Sequence, residues 1–385
     1  MRRHAKRLLL GATALAVTAG ATAAAISTAQ AETTGLAETA APALAIPEPG
    51  GAFDTGTTQL HLVDEDRPDV WVPEEDRELM VTMWYPTAET EGATAPYMTA
   101  EEGALFGAQL QLPGELLASV ETNSVADAEP LADDGALPLV VLSPGFSFPR
   151  ATLTGMAEEL ASQGYAVAAV GHNYEAPITF PDGRTTECLT CQHEDLDVES
   201  LVPNRAEDLS FVLDELTGDD AAWEDADFPY ELSIDADRIA VGGHSIGGAS
   251  SHRAMHDDER FDAGFNLDGT FFALDPHKLD RPFMMVGGGD DHGSPGQDKT
   301  WDKAWKKLDD WKRWITVTGT THSSMTDFGP LGEQAGLNQD DLDGNRSNEI
   351  ARALVTGFVD AHLRGEEAPV LDPNADWPEL VFHNP

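Results

Sequence analysis

The stretch Gly243-His244-Ser245-Ile246-Gly247 sets one hydroxyl between two glycines. A serine hydroxyl attacks poorly at neutral pH unless an imidazole takes its proton and a carboxylate holds that imidazole in the right tautomer. Arg238-Ile239-Ala240-Val241 before it reads as a buried strand, and Ala249 to Met255 after it as a helix. Strand, tight turn, Ser and helix is the context in which G-x-S-x-G becomes a nucleophile elbow. The sharp turn needs small neighbours, and it lifts the Ser245 hydroxyl clear of the chain at a helix N-terminus.

The partners follow from what the other strand ends present. In this architecture they come in the chain order Ser, acid, His. Trp314-Ile315-Thr316-Val317-Thr318-Gly319 reads as the last strand, and Thr320-Thr321-His322 follows it directly. His322 is therefore the expected base. His252, His256, His277 and His292 read as structural or solvent-facing. Two places compete for the acid: Asp268, one strand after the elbow, and Asp290 or Asp291, two strands after it. Local sequence leaves that choice open. A tetrahedral intermediate also needs backbone N–H donors. Ile246, next to the nucleophile, supplies one. Phe146, in Ser143-Pro144-Gly145-Phe146-Ser147 after an early strand, is expected to supply the other.

These residues need a scaffold, and the pattern describes one. Leu60–Val63 and Glu78–Tyr85 read as two antiparallel strands. From Leu137 onward strands and helices alternate. Strands are expected at 137–142, 165–170, 238–241, 263–268, 282–287 and 314–319, and helices at 152–163, 204–216, 301–311 and 349–363. Such alternation predicts an α/β fold with a mostly parallel central sheet, antiparallel N-terminal strands and helices on both faces. The clustered tryptophans Trp301, Trp305, Trp311 and Trp314 fit core packing better than a lipid-facing belt.

Composition narrows the function. Arg2, Arg3, Lys6 and Arg7, an apolar run to about Ile26 and Ala29-Gln30-Ala31 predict a secretory signal peptide over 1–31. Residues 32–52 read as a flexible linker and 53–385 as a single catalytic domain. The chain carries −45, and loss of residues 1–31 leaves −49. That charge argues against nucleic acid and against stable insertion in anionic membranes. The only cysteines, Cys188 and Cys191, with one nearby histidine, are too few for a zinc site. In an exported chain they read as a local disulfide. No metal or other cofactor is expected, and the chain is expected to be monomeric.

Several motifs together resemble a known family. They are Gly243-His244-Ser245-Ile246-Gly247-Gly248-Ala249, Asp258-Glu259-Arg260-Phe261 leading into Asn266-Leu267-Asp268-Gly269, Gly319-Thr320-Thr321-His322 followed by Thr326-Asp327-Phe328, and Asn204-Arg205-Ala206-Glu207-Asp208. The chain is similar to the secreted, type II platelet-activating-factor acetylhydrolases and their bacterial relatives, α/β-hydrolases related to cutinases and lipases. The resemblance spans about 56–364. It implies calcium-independent hydrolysis of short acyl esters of phospholipids, and it favours Asp268 as the acid. A cutinase-like or lipase-like enzyme acting on polyesters or triglycerides would instead use Asp291. A non-catalytic binding protein on the same fold is the third reading.

Overall fold

The computed structural model describes residues 43–131, 135–193, 195–218, 222, 230, 232–289 and 291–384. The expected signal peptide and residues 32–42 of the expected linker lie outside them. Among the described residues no helix is long and apolar enough to cross a membrane.

The strands in chain order are β1 (Asp54–Pro68), β2 (Asp76–Thr87), β3 (Val125–Ala126), β4 (Leu137–Ser143), β5 (Ala166–His172), β6 (Ile178–Thr179), β7 (Thr185–Thr186), β8 (Ile234–His244), β9 (Ala263–Leu267), β10 (Phe283–Gly288), β11 (Lys312–Val317) and β12 (Leu380–His383). The helices are α1 (Ala100–Leu110), α2 (Gly114–Ala118), α3 (Thr154–Ser162), α4 (Val198–Thr217), α5 (Ile246–Asp257), α6 (Lys299–Trp305), α7 (Phe328–Gln334) and α8 (Gly344–Val359).

Ten strands form one sheet in the order β12-β11-β10-β9-β8-β4-β5-β2-β1-β3. The run from β11 to β5 is parallel. β2 joins β5 antiparallel, β1 joins β2 antiparallel, and β12 closes the far edge antiparallel to β11. This is the expected α/β-hydrolase arrangement.

Strand alternation sorts the core into two layers. Leu139, Val141, Ile239, Val241, Phe283 and Met285 face Leu209, Val212 and Leu213 of α4, Met255 of α5 and Trp301 of α6. Val140, Leu142, Ala240, Met284, Val286 and Ile315 face Met156 and Leu160 of α3 and Ile350, Leu354 and Phe358 of α8. Both faces are covered, which is why these strands read as unbroken apolar runs. Trp301, Trp305 and Trp314 are buried in the first layer, as core packing predicts.

Several elements depart from the sequence expectation. α4 begins at Val198 rather than 204, with Asp197 capping it and Pro203 inside. The backbone hydrogen bond lost at Pro203 is outweighed by burial of Leu201 and Val202 against Ile246 and Ala249. α6 ends at Trp305, because the chain must turn to bring Leu308 beside Leu279 before β11. β12 was not expected. Residues 43–52, expected as linker, instead lie along the domain: Leu44 and Ile46 are buried with Tyr97, Phe106 and Leu331, and Arg352 donates to the carbonyls of Pro47 and Glu48.

Candidate active site

The site stands at the carboxyl ends of β4, β8, β9, β10 and β11, the usual ligand edge of such a sheet. Ser245 holds φ 56° and ψ −125° between β8 and α5, a strained conformation for a side-chain-bearing residue. The structure over-determines it. Ser245 N–H donates to Leu267 O at 2.8 Å. A Cβ on Gly243 or Gly247 would fall 2.1 or 2.0 Å from the carbonyl oxygen of Ser143, so only glycine lets the elbow sit this close to β4.

His322 reaches the serine from the loop after β11. Its Nε2 is 2.9 Å from Ser245 Oγ, and its Nδ1 is 2.6 Å from Asp268 Oδ2. Asp268 follows β9 in a left-handed conformation, φ 57°, anchored by its N–H to Val286 O at 2.8 Å. Burial would raise its pKa, but hydrogen bonds from His292 and His322 outweigh burial and hold it below the ordinary carboxylate value. The structure thus places Asp268, not Asp291, against His322. Asp291 is exposed, and Asp290 lies outside the described residues. Asp268 is 3% exposed, while the His322 side chain is 53% exposed, so the relay is dry at the acid and open at the base.

The two expected N–H donors flank the serine. Ile246 is the first residue of α5, where an N–H has no intrahelical acceptor. Phe146 packs against the cluster that holds Ile246, and among the described residues no acceptor takes its N–H. A Cβ on Gly145 would lie 3.5 Å from Ser245 Cβ, which brings the loop after β4 alongside the nucleophile.

A buried ionic network supports that loop. Arg205 Nη1 donates to Pro144 O at 2.5 Å, and its Nε to Glu175 at 2.7 Å. Ser143 Oγ meets His172 Nε2 at 2.9 Å, whose Nδ1 meets Asp208 at 2.7 Å. Arg77 clamps Asp208 and Asp69. His172 therefore braces the loop. The spacing of Arg205 and Asp208, one helical turn apart, is the signal in sequence that both face one side of α4.

Cys188 and Cys191 are joined in a disulfide after the β6–β7 hairpin, with Cα atoms 5.3 Å apart. Among the described residues no group of three or more His, Cys, Asp or Glu side chains is placed to hold a metal ion. Sequence reasoning missed two further histidines at the site. His244 bonds the His322 backbone, and His292 bonds Asp268.

Chemically, a hydroxyl, an imidazole and a buried carboxylate in line, beside two free amides, can move a proton and stabilise an oxyanion.

Known proteins are similar to this chain over most of its length. The family described as platelet-activating factor acetylhydrolase, isoform II, matches residues 41–193 and 227–364. A probable 1-alkyl-2-acetylglycerophosphocholine esterase of Arthroderma benhamiae is 24% identical, over 88% of this chain and 93% of that protein. The platelet-activating factor acetylhydrolase of Canis lupus familiaris is 26% identical, over 83% of this chain and 77% of its own length. The solved ferulic acid esterase of Streptomyces cinnamoneus is 40% identical with a TM-score of 0.79, covering 89% of this chain and all of that one.

Proposed function

The chain belongs to the platelet-activating factor acetylhydrolase, isoform II, family and is a carboxylic-ester hydrolase, and we propose that it works through Ser245, His322 and Asp268 on short acyl esters of glycerophospholipid type. The observation that carries this reading is the continuous contact from Ser245 Oγ through His322 to Asp268, at 2.9 and 2.6 Å.

His322 Nε2 takes the Ser245 proton as Oγ bonds to the ester carbonyl carbon, and the carbonyl electron pair moves onto oxygen. The N–H groups of Ile246 and Phe146 hold that oxyanion. Collapse breaks the bond to the alkoxy oxygen, which leaves as alcohol with the proton from His322. Water then gives a proton to His322 and attacks the acyl carbon. Ser245 leaves with that proton, and the acid is released. Asp268 fixes the tautomer of His322 and stabilises its charged form. The pairing of His322 with Asp268 favours the acetylhydrolase reading over the cutinase-like one. The N-terminal signature supports export, and the disulfide suits an oxidising compartment. Among the described residues only five large apolar side chains are exposed, Phe53, Val63, Val70, Leu337 and Val381, which supports a single working chain.

A second reading takes a hydroxycinnamoyl ester as substrate. It rests on the similarity to the ferulic acid esterase and on Trp71, Phe146 and Phe272, which pack against the cluster of Leu201, Val202, Ile246 and Ala249 and offer aromatic surface to an aromatic acyl group.

Turnover of p-nitrophenyl acetate, p-nitrophenyl decanoate, 1-alkyl-2-acetylglycerophosphocholine and methyl ferulate by the wild type and Ser245→Ala tests both. The first reading expects the acetyl esters fastest and a loss of about 10⁶-fold in Ser245→Ala. Methyl ferulate as the best substrate would move the assignment to the second. Wild-type rates in Ser245→Ala would remove both.

A further inference from the structure

The carboxylate of Asp268 serves more than its partner in the relay. While Oδ2 meets His322, Oδ1 accepts the Gly288 N–H at 2.6 Å and Nδ1 of His292 at 2.6 Å. His292 is 6% exposed. Its ring lies on Trp301, with centroids 4.5 Å apart and planes at 15°. Its carbonyl accepts Trp314 Nε1 at 2.7 Å. Gly287 leaves the room, since a Cβ there would fall 2.5 Å from His292 Cβ. Nε2 of the same ring lies 3.3 Å from Asp298 Oδ2, an ion-pair distance. Asp298 is itself fixed as the cap of α6, accepting the N–H and O–H of Thr300 at 2.8 and 2.7 Å.

A ring locked between two carboxylates keeps a proton on each nitrogen. Burial alone would remove one of them, but Asp268 and Asp298 outweigh burial and push the His292 pKa up to about 9. The titratable groups facing His292 are Asp268 from the end of β9 and Asp298 from the cap of α6, with His322 coupled through the shared carboxylate. α6 and β11 otherwise present Trp301 and Trp314.

We propose that His292 is a positioning residue of the hydrolytic site: as an imidazolium it pins Oδ1 of Asp268 so that Oδ2 faces His322, and it limits how much of that carboxylate's charge His322 can draw on. The second effect follows from electrostatics. A cation held on one oxygen reduces what the same carboxylate offers to a second cation on the other. The site thereby gives up some stabilisation of charged His322 and gains a base that stays unprotonated further into acid. A histidine that merely filled space would pin the carboxyl without touching the pH dependence. The proposal rests on the reading of Ser245, His322 and Asp268 as the hydrolytic relay.

The experiment is the pH profile of kcat/KM for p-nitrophenyl acetate in the wild type, His292→Asn, Asp298→Asn and Ser245→Ala. His292→Asn keeps a donor for Asp268 and removes the charge. Asp298→Asn keeps the helix cap, for which Asn serves as well as Asp, and weakens the imidazolium without touching Asp268. Both should move the acid limb of the profile to higher pH, His292→Asn by about half to one pH unit and Asp298→Asn by less, with KM within about twofold. Acid limbs in both variants that superimpose on the wild type would overturn the proposal. If His292→Asn does not fold, Asp298→Asn alone decides. Ser245→Ala separates the two levels of argument: its activity would bring down the relay itself, whereas an inactive Ser245→Ala with unmoved limbs elsewhere would bring down only the role of His292.

Discussion

His244, the residue before the nucleophile, donates from Nε2 to the backbone carbonyl of His322 across 2.7 Å, and the two rings stand 4.7 Å apart. The elbow therefore holds the loop that carries its own base. Burial, then the charge of His322, pushes the His244 pKa down to about 3, so the ring stays neutral with its one proton on Nε2. Nδ1 is buried without a hydrogen-bond partner against Gly145. His244→Ala should lower kcat by about 10–100-fold through misplacement of His322, with KM little changed. His244→Gln, whose amide can still donate, should recover part of the loss. Equal kcat in all three proteins would refute the tether.

Asp268→Asn and Asp291→Asn separate the two acids. The first exchanges a buried acceptor of three hydrogen bonds for an amide that favours the wrong tautomer of His322, and kcat should fall by about 10³–10⁴-fold. The second changes an exposed side chain and should stay within about twofold. Steady-state kinetics on a p-nitrophenyl ester reads the difference, and the reverse pattern would restore the cutinase-like arrangement.

Arg205 joins stability to the oxyanion loop. Its side chain is 1% exposed and that of Glu175 fully buried. Arg205→Ala leaves Glu175 as an unpaired buried charge and should cost about 3–5 kcal/mol in urea unfolding. The double variant Arg205→Met, Glu175→Leu should regain most of that stability, since an apolar pair replaces a buried ion pair at little cost. It should not regain kcat, because Pro144 O still lacks its donor. Full recovery of kcat in the double variant would show that the loop keeps its shape unaided.

His252, beneath the elbow in α5, predicts the course of acid unfolding. Its Nε2 is buried without a hydrogen-bond partner, and Phe271 and Phe283 each stand 5.2 Å from its ring. Burial, then the nearby charge of His256, pushes its pKa down to about 3 from an ordinary 6.5. The unfolded chain thus takes up a proton near pH 6.5 that the folded chain refuses until about 3. The His252 contribution to stability is complete above pH 6.5 and falls as the pH drops toward 3. His244 acts in the same direction, whereas Asp208 and Asp268, held below their ordinary 3.8, enter only at lower pH. The unfolding free energy measured in urea should decline from pH 6.5 to 4.5, and His252→Phe should flatten that decline. An unchanged slope would count against the assignment.

The sheet was legible in the sequence because its central strands are buried on both faces, and unbroken runs such as Leu139–Leu142 carry that burial openly. Ser245 and His322 were legible because each follows such a run directly. The pairing of His322 with Asp268 was not, since it depends on β9 lying between β8 and β10, and motif resemblance alone leaned toward it. His292 was hidden in Asp290-Asp291-His292, which reads as one more acidic loop. Only the parallel register of β9 and β10 brings it to Asp268. Pro203 concealed the start of α4, and the Ala, Pro and Gly around Leu44 and Ile46 concealed two core side chains.

Those two side chains decide where the domain begins. Leu44 and Ile46 fill a hydrophobic cluster with Tyr97, Phe106 and Leu331, and their segment forms a strap that exchanges backbone hydrogen bonds with Glu121, Ile46 N–H to Glu121 O and Glu121 N–H to Leu44 O, both at 2.8 Å. A chain cut at residue 53 would lose this strap, leave Phe106 and its neighbours wet and free the guanidinium of Arg352. For any trimming from the N-terminal side, the strap marks the point at which loss of chain turns into damage to the core.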